Sequence, residues 1–334
     1  MAWKAEFRSR IRLCRQRSGG APIALPPETP YSPAMALDKH LFQHYNSHGL
    51  GWINSKKEGF TMIRKYGKDI SITLATCAFR IPAGEEKRFP YHFEAAQKAG
   101  FDGFELSSSS HRKPEVLLAA AKASQVKIVA VHGVLDGRSC SAEEAVRNQA
   151  AEDAFRYLAT FAEFAPCPIV EHYWDRFNDP EKGKCFRDTV GKLLEKTERS
   201  GFVFCMENAP YKPEVNERYP EIAEIARFAR SFGSGRMFMT FDVNHANLHE
   251  DVLYAVSACE GLIRHIHVSD NHGHREEHLV PGEGIIDLNA VIRKIYETDY
   301  CGPCNFEFGY PKGYVPELKD YQHAFEVIKT RVLA

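Results

Sequence analysis

The stretch Met237–Glu250, MFMTFDVNHANLHE, decides how this chain is read. A run of apolar residues (Met237, Phe238, Met239) leads into Asp242, and His245 follows three positions later. On an unbroken strand, side chains three apart point to opposite faces. Asp242 and His245 can therefore share a site only if the strand stops at Asp242 and the backbone bends. If Asp242 faces inward, so do Thr240 and Phe238. The fold turns on whether other apolar runs end in the same way.

Seven others do resemble it in character. ISITLAT from Ile70, GFEL from Gly103, KIVAVH from Lys127, PIVEH from Pro168, FVFCME from Phe202, IRHIHV from Ile263 and NFEF from Asn305 are short and rich in β-formers. Helix-forming segments separate them. YHFEAAQKAG closes on a glycine cap, and PEVLLAAAKAS opens on proline in its first turn. Ser141 followed by Glu144 predicts a capping box for the helix after it. LNAVIRKIYET and ELKDYQHAFEVIKTRVL complete the series. Eight strand-then-helix units predict a (β/α)8 TIM barrel over residues 67–334. An open doubly wound sheet is the alternative, but a glycine-rich turn after the first strand is missing.

Residues 1–66 differ. RSRIRLCRQRSGGAPIALPPETPYSP is Arg-rich and then Pro-rich, which predicts a poorly ordered N-terminal extension. An acid-poor, Arg-rich front resembles an organelle transit segment, without its amphipathic helix. A start at Met35 or Met62, or a disordered tail, is the simpler reading.

Composition excludes several classes. The 334 residues are 44% hydrophobic and 26% charged, with 43 Lys+Arg against 44 Asp+Glu. Such a balance gives no global pull toward nucleic acid or anionic membrane. No run approaches the ~18 apolar residues of a membrane span. Nine cysteines lack regular spacing, and Cys77 and Cys205 sit inside apolar runs. Buried free thiols in a reducing, cytoplasmic compartment are expected. The CGPC at Cys301–Cys304 precedes a strand instead of opening a helix, which argues against a redox motif.

The ends of the apolar runs carry the chemistry. The third ends on His132, the fourth on Glu171 and His172, the fifth on Glu207 and the sixth on Asp242. The seventh carries His265 and His267, and the eighth Glu307. In a barrel these ends ring one mouth. Carboxylates gathered there need a compensating charge, and a divalent cation is the simplest. Carboxylate and imidazole donors suit one ion of Mn, Mg, Co or Zn. Glu105, at the end of the second run, reads as a hydrogen-bond acceptor or a substrate contact, and His265 as a core histidine.

HIHVSDNHGHREEHLVPGEGIID (His265–Asp287), with VHGV, MENAP, DVNH and FEF in order, resembles the xylose isomerase-like TIM barrel superfamily of sugar phosphate isomerases and epimerases. That resemblance implies Glu207, Asp242, His267 and Glu307 as metal ligands. It implies Glu207 and Glu307 as the pair that moves protons, and His245 as a substrate contact. His132, His172 and His278 are further candidate substrate contacts. The implied partner is a small sugar or sugar-derived molecule, with no membrane; a homo-oligomer is compatible. The endonuclease IV branch, which cuts abasic DNA with three zinc ions, adds histidines on the third and fourth strands and an Asp-x-His. Here Glu276 and His278 stand where Asp-x-His would fall. That departure, with no basic surplus, argues against nucleic acid as partner. A keto-sugar lyase or a non-catalytic subunit of a larger complex are the remaining alternatives. The loop with Gly273, Gly282 and Gly284 is expected to lie over the mouth.

Overall fold

A computed structural model describes residues 63–82, 84–107, 113–172, 179–210 and 221–334. The expected extension therefore lies outside the described residues up to position 62. A small antiparallel hairpin comes first: β1 (Ile63–Lys65) pairs with β2 (Lys68–Ile70). Eight parallel strands then follow. They are β3 (Ile72–Ala75), β4 (Gly103–Leu106), β5 (Ile128–His132), β6 (Pro168–His172), β7 (Val203–Glu207), β8 (Met237–Asp242), β9 (Ile263–Val268) and β10 (Cys304–Phe306). Each pairs with the next, and β10 pairs with β3 to close the barrel. All eight expected runs are strands. Ile70 is the exception at a boundary, since it ends the hairpin.

The strands are buried on both faces because helices cover the outside and side chains fill the inside, and polar residues such as Thr73, Glu105, Thr240, His265 and Asn305 are among those buried. Leu106, Ile128, Phe204, Met239 and Ile266 belong to one continuous buried cluster. Helices α1 (Phe89–Ala99), α2 (Pro114–Ala123), α3 (Glu144–Thr160), α4 (Pro180–Lys196), α5 (Ile222–Arg230), α7 (Val252–Ala258), α8 (Leu288–Tyr296) and α9 (Leu318–Val327) make the outer layer, while the short, buried α6 (Val243–Asn247) follows β8 directly. Gly100, at φ 120°, caps α1 as expected. Asp179 caps α4 by accepting from the amides of Glu181 and Lys182.

The capping box expected at Ser141 does not form. A 3-10 turn at Gly137–Cys140 delivers the chain so that Glu143 is the N-cap, and Ser141 lies outside the helix. Its hydroxyl accepts from the Glu143 amide instead. A reciprocal box does form at α9, between Glu317 and Asp320. Cys301 is exposed while Cys304 lies buried in β10, and no helix follows the pair. Cys205 is buried as expected, whereas Cys77 is only half-buried. No helix among the described residues is long and apolar enough to cross a membrane.

Candidate active site at the barrel mouth

The strands' C-terminal ends place the chemistry. Asp242 ends β8, and α6 begins at the next residue. The carboxylate makes that bend: Asp242 Oδ1 accepts from the His245 amide at 2.7 Å, as a helix N-cap does. The bend turns the His245 ring over the mouth, 3.7 Å from Asp242 Oδ2. Asn208, just after β7, clamps Asp242 through both of its backbone groups, at 2.8 and 2.9 Å.

His267 lies at the centre. Its Nδ1 is 2.8 Å from Glu207 Oε1, 3.0 Å from Glu307 Oε2 and 3.7 Å from Asp242 Oδ2. One donor atom from each of Glu207, Asp242, His267 and Glu307 lies within 4.8 Å of the others, and all four residues are buried. Carboxylates no more than 4.8 Å apart repel by at least about 3.5 kcal/mol at an effective dielectric of ~20. Three such pairs rival the stability of a whole domain, so their charge needs compensation, by the neighbouring imidazoles or by a cation. Glu207 Oε2 and Asp242 Oδ2 are buried without a hydrogen-bond partner. Unpaired carboxylate oxygens within a cluster of buried donor atoms fit a cation, and the oxygen and imidazole donors fit a divalent one.

The remaining predicted residues surround this cluster. His132 Nε2 and His172 Nε2 approach Glu207 Oε2 at 3.3 and 3.1 Å. His245 and His278 converge on Glu276 Oε1, at 3.4 and 2.9 Å. His278 is held at φ 50°. Its Nδ1 lies 3.0 Å from the Glu307 carbonyl, and its own carbonyl accepts from Gly309. That pins the loop after β9 to the exit of β10. All eight predicted residues therefore share one mouth. Glu276, which stands in place of the Asp of an Asp-x-His, reaches both rings.

Beneath the mouth lies Glu105, completely buried. Its Oε2 meets His265 Nε2 at 2.7 Å and His267 Nε2 at 2.8 Å, and its Oε1 meets His132 Nδ1 at 3.3 Å. Asn305 Nδ2 adds a fourth donor at 3.3 Å and is held in turn by Thr73. The acceptor reading of Glu105 is correct, but the donors are the site's own histidines. Its one sequence signal was a carboxylate inside the otherwise apolar GFEL. His265 and His267, two apart on β9, both reach this carboxylate, as strand alternation requires of residues on one face.

Burial disfavours charge on every group here, and neighbours decide the outcome. Burial, opposed by His245 and reinforced by Glu207, lifts Asp242 to about 6. Burial pushes Glu105 and Glu207 up as well, but the imidazoles around them, His267 among them, hold both well below the usual carboxylate range. His132 would fall by burial, yet Glu207 and Glu105 raise it to about 9. His245, facing Asp242 and Glu276, also rises to about 9 against burial. Burial prevails at His172, which drops to about 4.

A closed parallel barrel with ionisable groups gathered at its C-terminal mouth defines the class. The chain belongs to the xylose isomerase-like TIM barrel family, whose model matches residues 93–331. It is 27% identical over 147 residues to the uncharacterized protein MJ1311 of Methanocaldococcus jannaschii, covering 43% of this chain and 50% of that one. It is 25% identical over 121 residues to fructoselysine 3-epimerase of Escherichia coli O157:H7, covering 36% and 43%. The chain thus spans half or less of the length of these curated relatives. Similar solved folds include a D-tagatose 3-epimerase-like protein, at 21% identity and TM-score 0.60, covering 79% of this chain and 97% of that one. Another is 3-keto-D-glucoside 4-epimerase from E. coli, at 21% identity and TM-score 0.62, covering 78% and 99%.

Proposed function

We propose that the protein is a divalent-cation-dependent epimerase or isomerase of a ketose, keto-inositol or related α-hydroxycarbonyl sugar. The observation that carries this is the pair Glu207 and Glu307, each within 3.0 Å of His267 Nδ1, with Asp242 3.7 Å from the same atom. Relatives named as sugar epimerases support it. Glu207, Asp242, His267 and Glu307 would hold one ion of Mn, Mg, Co or Zn. When bound, it supplies Lewis-acid polarisation of a carbonyl and its neighbouring hydroxyl.

The chain's own residues do the rest. One of Glu207 and Glu307 takes the proton from the hydroxyl-bearing carbon next to the carbonyl, and the other returns one. Return to the opposite face inverts the centre; return to the adjacent carbon isomerises the sugar. Loss of a β-leaving group would make the outcome a lyase reaction. His245, His132, His172 and His278 line the mouth, where they orient substrate hydroxyls. Glu207→Gln and Glu307→Gln are each expected to abolish deuterium exchange from solvent into substrate while leaving the circular dichroism spectrum unchanged. Exchange at wild-type rate in both variants overturns the assignment.

A second reading has its own observation. His132, His172 and Glu207 converge as one donor group, and His245, Glu276 and His278 as another, each within 4.8 Å. Those groups would suit two further cations and an endonuclease IV-like phosphodiesterase on abasic DNA. Elemental analysis separates the two: one equivalent of metal with keto-sugar turnover supports the epimerase, three with abasic cleavage the nuclease. A site that binds metal but turns over neither alone supports a subunit role.

A further inference from the structure

We propose that Glu105 is the positioning residue of this centre, holding His267 with its proton on Nε2 so that the Nδ1 lone pair faces the mouth. The inference rests on the cation reading above. Both ring nitrogens of His267 stand 2.8 Å from a carboxylate oxygen, Nε2 from Glu105 Oε2 and Nδ1 from Glu207 Oε1, so without an ion each is placed to donate. Nδ1 lies among Glu207, Asp242 and Glu307, so an ion held by those three would take the place of its proton, while the Nε2 proton stays with Glu105. A carboxylate behind a ligating imidazole fixes both tautomer and ring plane and makes the ligating nitrogen more basic.

The same carboxylate acts on a second ring in the opposite sense. His132 meets Glu105 through Nδ1 and turns Nε2 toward Glu207 Oε2. His265 is the built-in contrast. It donates to Glu105 through Nε2 at 2.7 Å, but its Nδ1 is buried without a partner and meets no carboxylate of the mouth. Glu105 lies close enough to His132, His267 and Glu307 to share an ion with them, but both of its oxygens already accept from N–H groups, which spends them on positioning. Nor is it ordinary filling: barrel interiors are usually layers of apolar side chains, and a buried carboxylate costs several kcal/mol that a Val or Leu would not.

The test uses zinc and nitrogen NMR. Proton–nitrogen correlation spectra of 15N-histidine protein, metal-free and zinc-loaded, are expected to show a proton on His267 Nε2 in the loaded form. Zinc affinity by chelator competition is expected to fall ~10–100-fold in Glu105→Gln. In His265→Asn it should stay within about threefold, because that ring holds no ligand. A folded Glu105→Gln with wild-type affinity, or a loaded spectrum with the His267 proton on Nδ1, overturns the proposal. Should the variant fail to fold, the wild-type spectrum still decides. Wild-type protein that takes up no zinc defeats the cation reading instead, and the metal-free spectrum then shows whether Glu105 holds the Nε2 proton.

Discussion

Asp242 performs two tasks with two oxygens. Oδ1 caps α6 by accepting from the His245 amide, and Oδ2 lies 3.7 Å from His267 Nδ1, buried without a hydrogen bond. Asparagine retains the capping oxygen but not the charge. Asp242→Asn is therefore expected to keep its melting temperature in chelator within a few degrees of wild type, a change worth about 1 kcal/mol or less. Its affinity for Mn or Zn, measured by calorimetry, is expected to fall at least ~10-fold, as loss of a charged ligand should exceed loss of an outer-shell partner. An equal loss of both properties would mean that the carboxylate serves only the bend. In the sequence the strand-stopping position of Asp242 was visible. The division of labour was not, because it depends on which oxygen meets which amide.

At the scale of elements, the loop after β9 is tied to its own root. Asp270 accepts from the amides of Asn271, Gly282 and Ile286. Asn271 returns a carbonyl to Ile285. Gly282 turns at φ 89° and Gly273 at φ 78°, as the glycine pattern suggested. Gly284 is required for a different reason: a Cβ there would stand 2.2 Å from Asp270 Oδ1 and 2.5 Å from the Asn271 carbonyl. Gly284→Ala must push these groups apart, which is expected to cost 1–3 kcal/mol, on the order of an overpacked core. Since the loop also carries Glu276 and His278, kcat/KM should fall with it. Urea denaturation and substrate kinetics on the one variant check both. The glycine was legible as a turn residue, while its crowding came from contacts that no local pattern encodes.

The barrel closes where its first and last strand–helix pairs meet. β10 pairs with β3, and the ring of Phe101, two residues past α1, packs edge-on against Phe325 of α9, centroids 5.3 Å apart. His92 of α1 and the Tyr321 hydroxyl of α9 lie 2.9 Å apart across this seam. Burial, with Arg88 nearby, lowers His92 from 6.5 to about 4. A histidine kept neutral in the fold but protonated in the unfolded chain makes stability fall as pH drops from about 6.5 toward 4. Above that window its contribution is constant. Melting temperature against pH should thus show a shallower acid decline for His92→Asn than for wild type. Identical slopes would show that other groups dominate. Chelation is expected to lower the melting temperature at neutral pH as well, since an ion that binds only the folded state stabilises it by mass action.

The amino-acid sequence by itself determined the eight strands, most of the helices between them, and the placing of acids and imidazoles where apolar runs stop. These are local properties: side-chain periodicity and run length dictate them before any long-range contact exists. Only the tertiary structure decided that Glu105 reaches His265 and His267, some 160 positions away along the chain. It also decided that Glu276 closes on His245, and that Ser141 misses its helix. Such contacts depend on the stagger of neighbouring strands and the path of the loops. Those follow from closing the barrel as a whole, and no window of residues contains them.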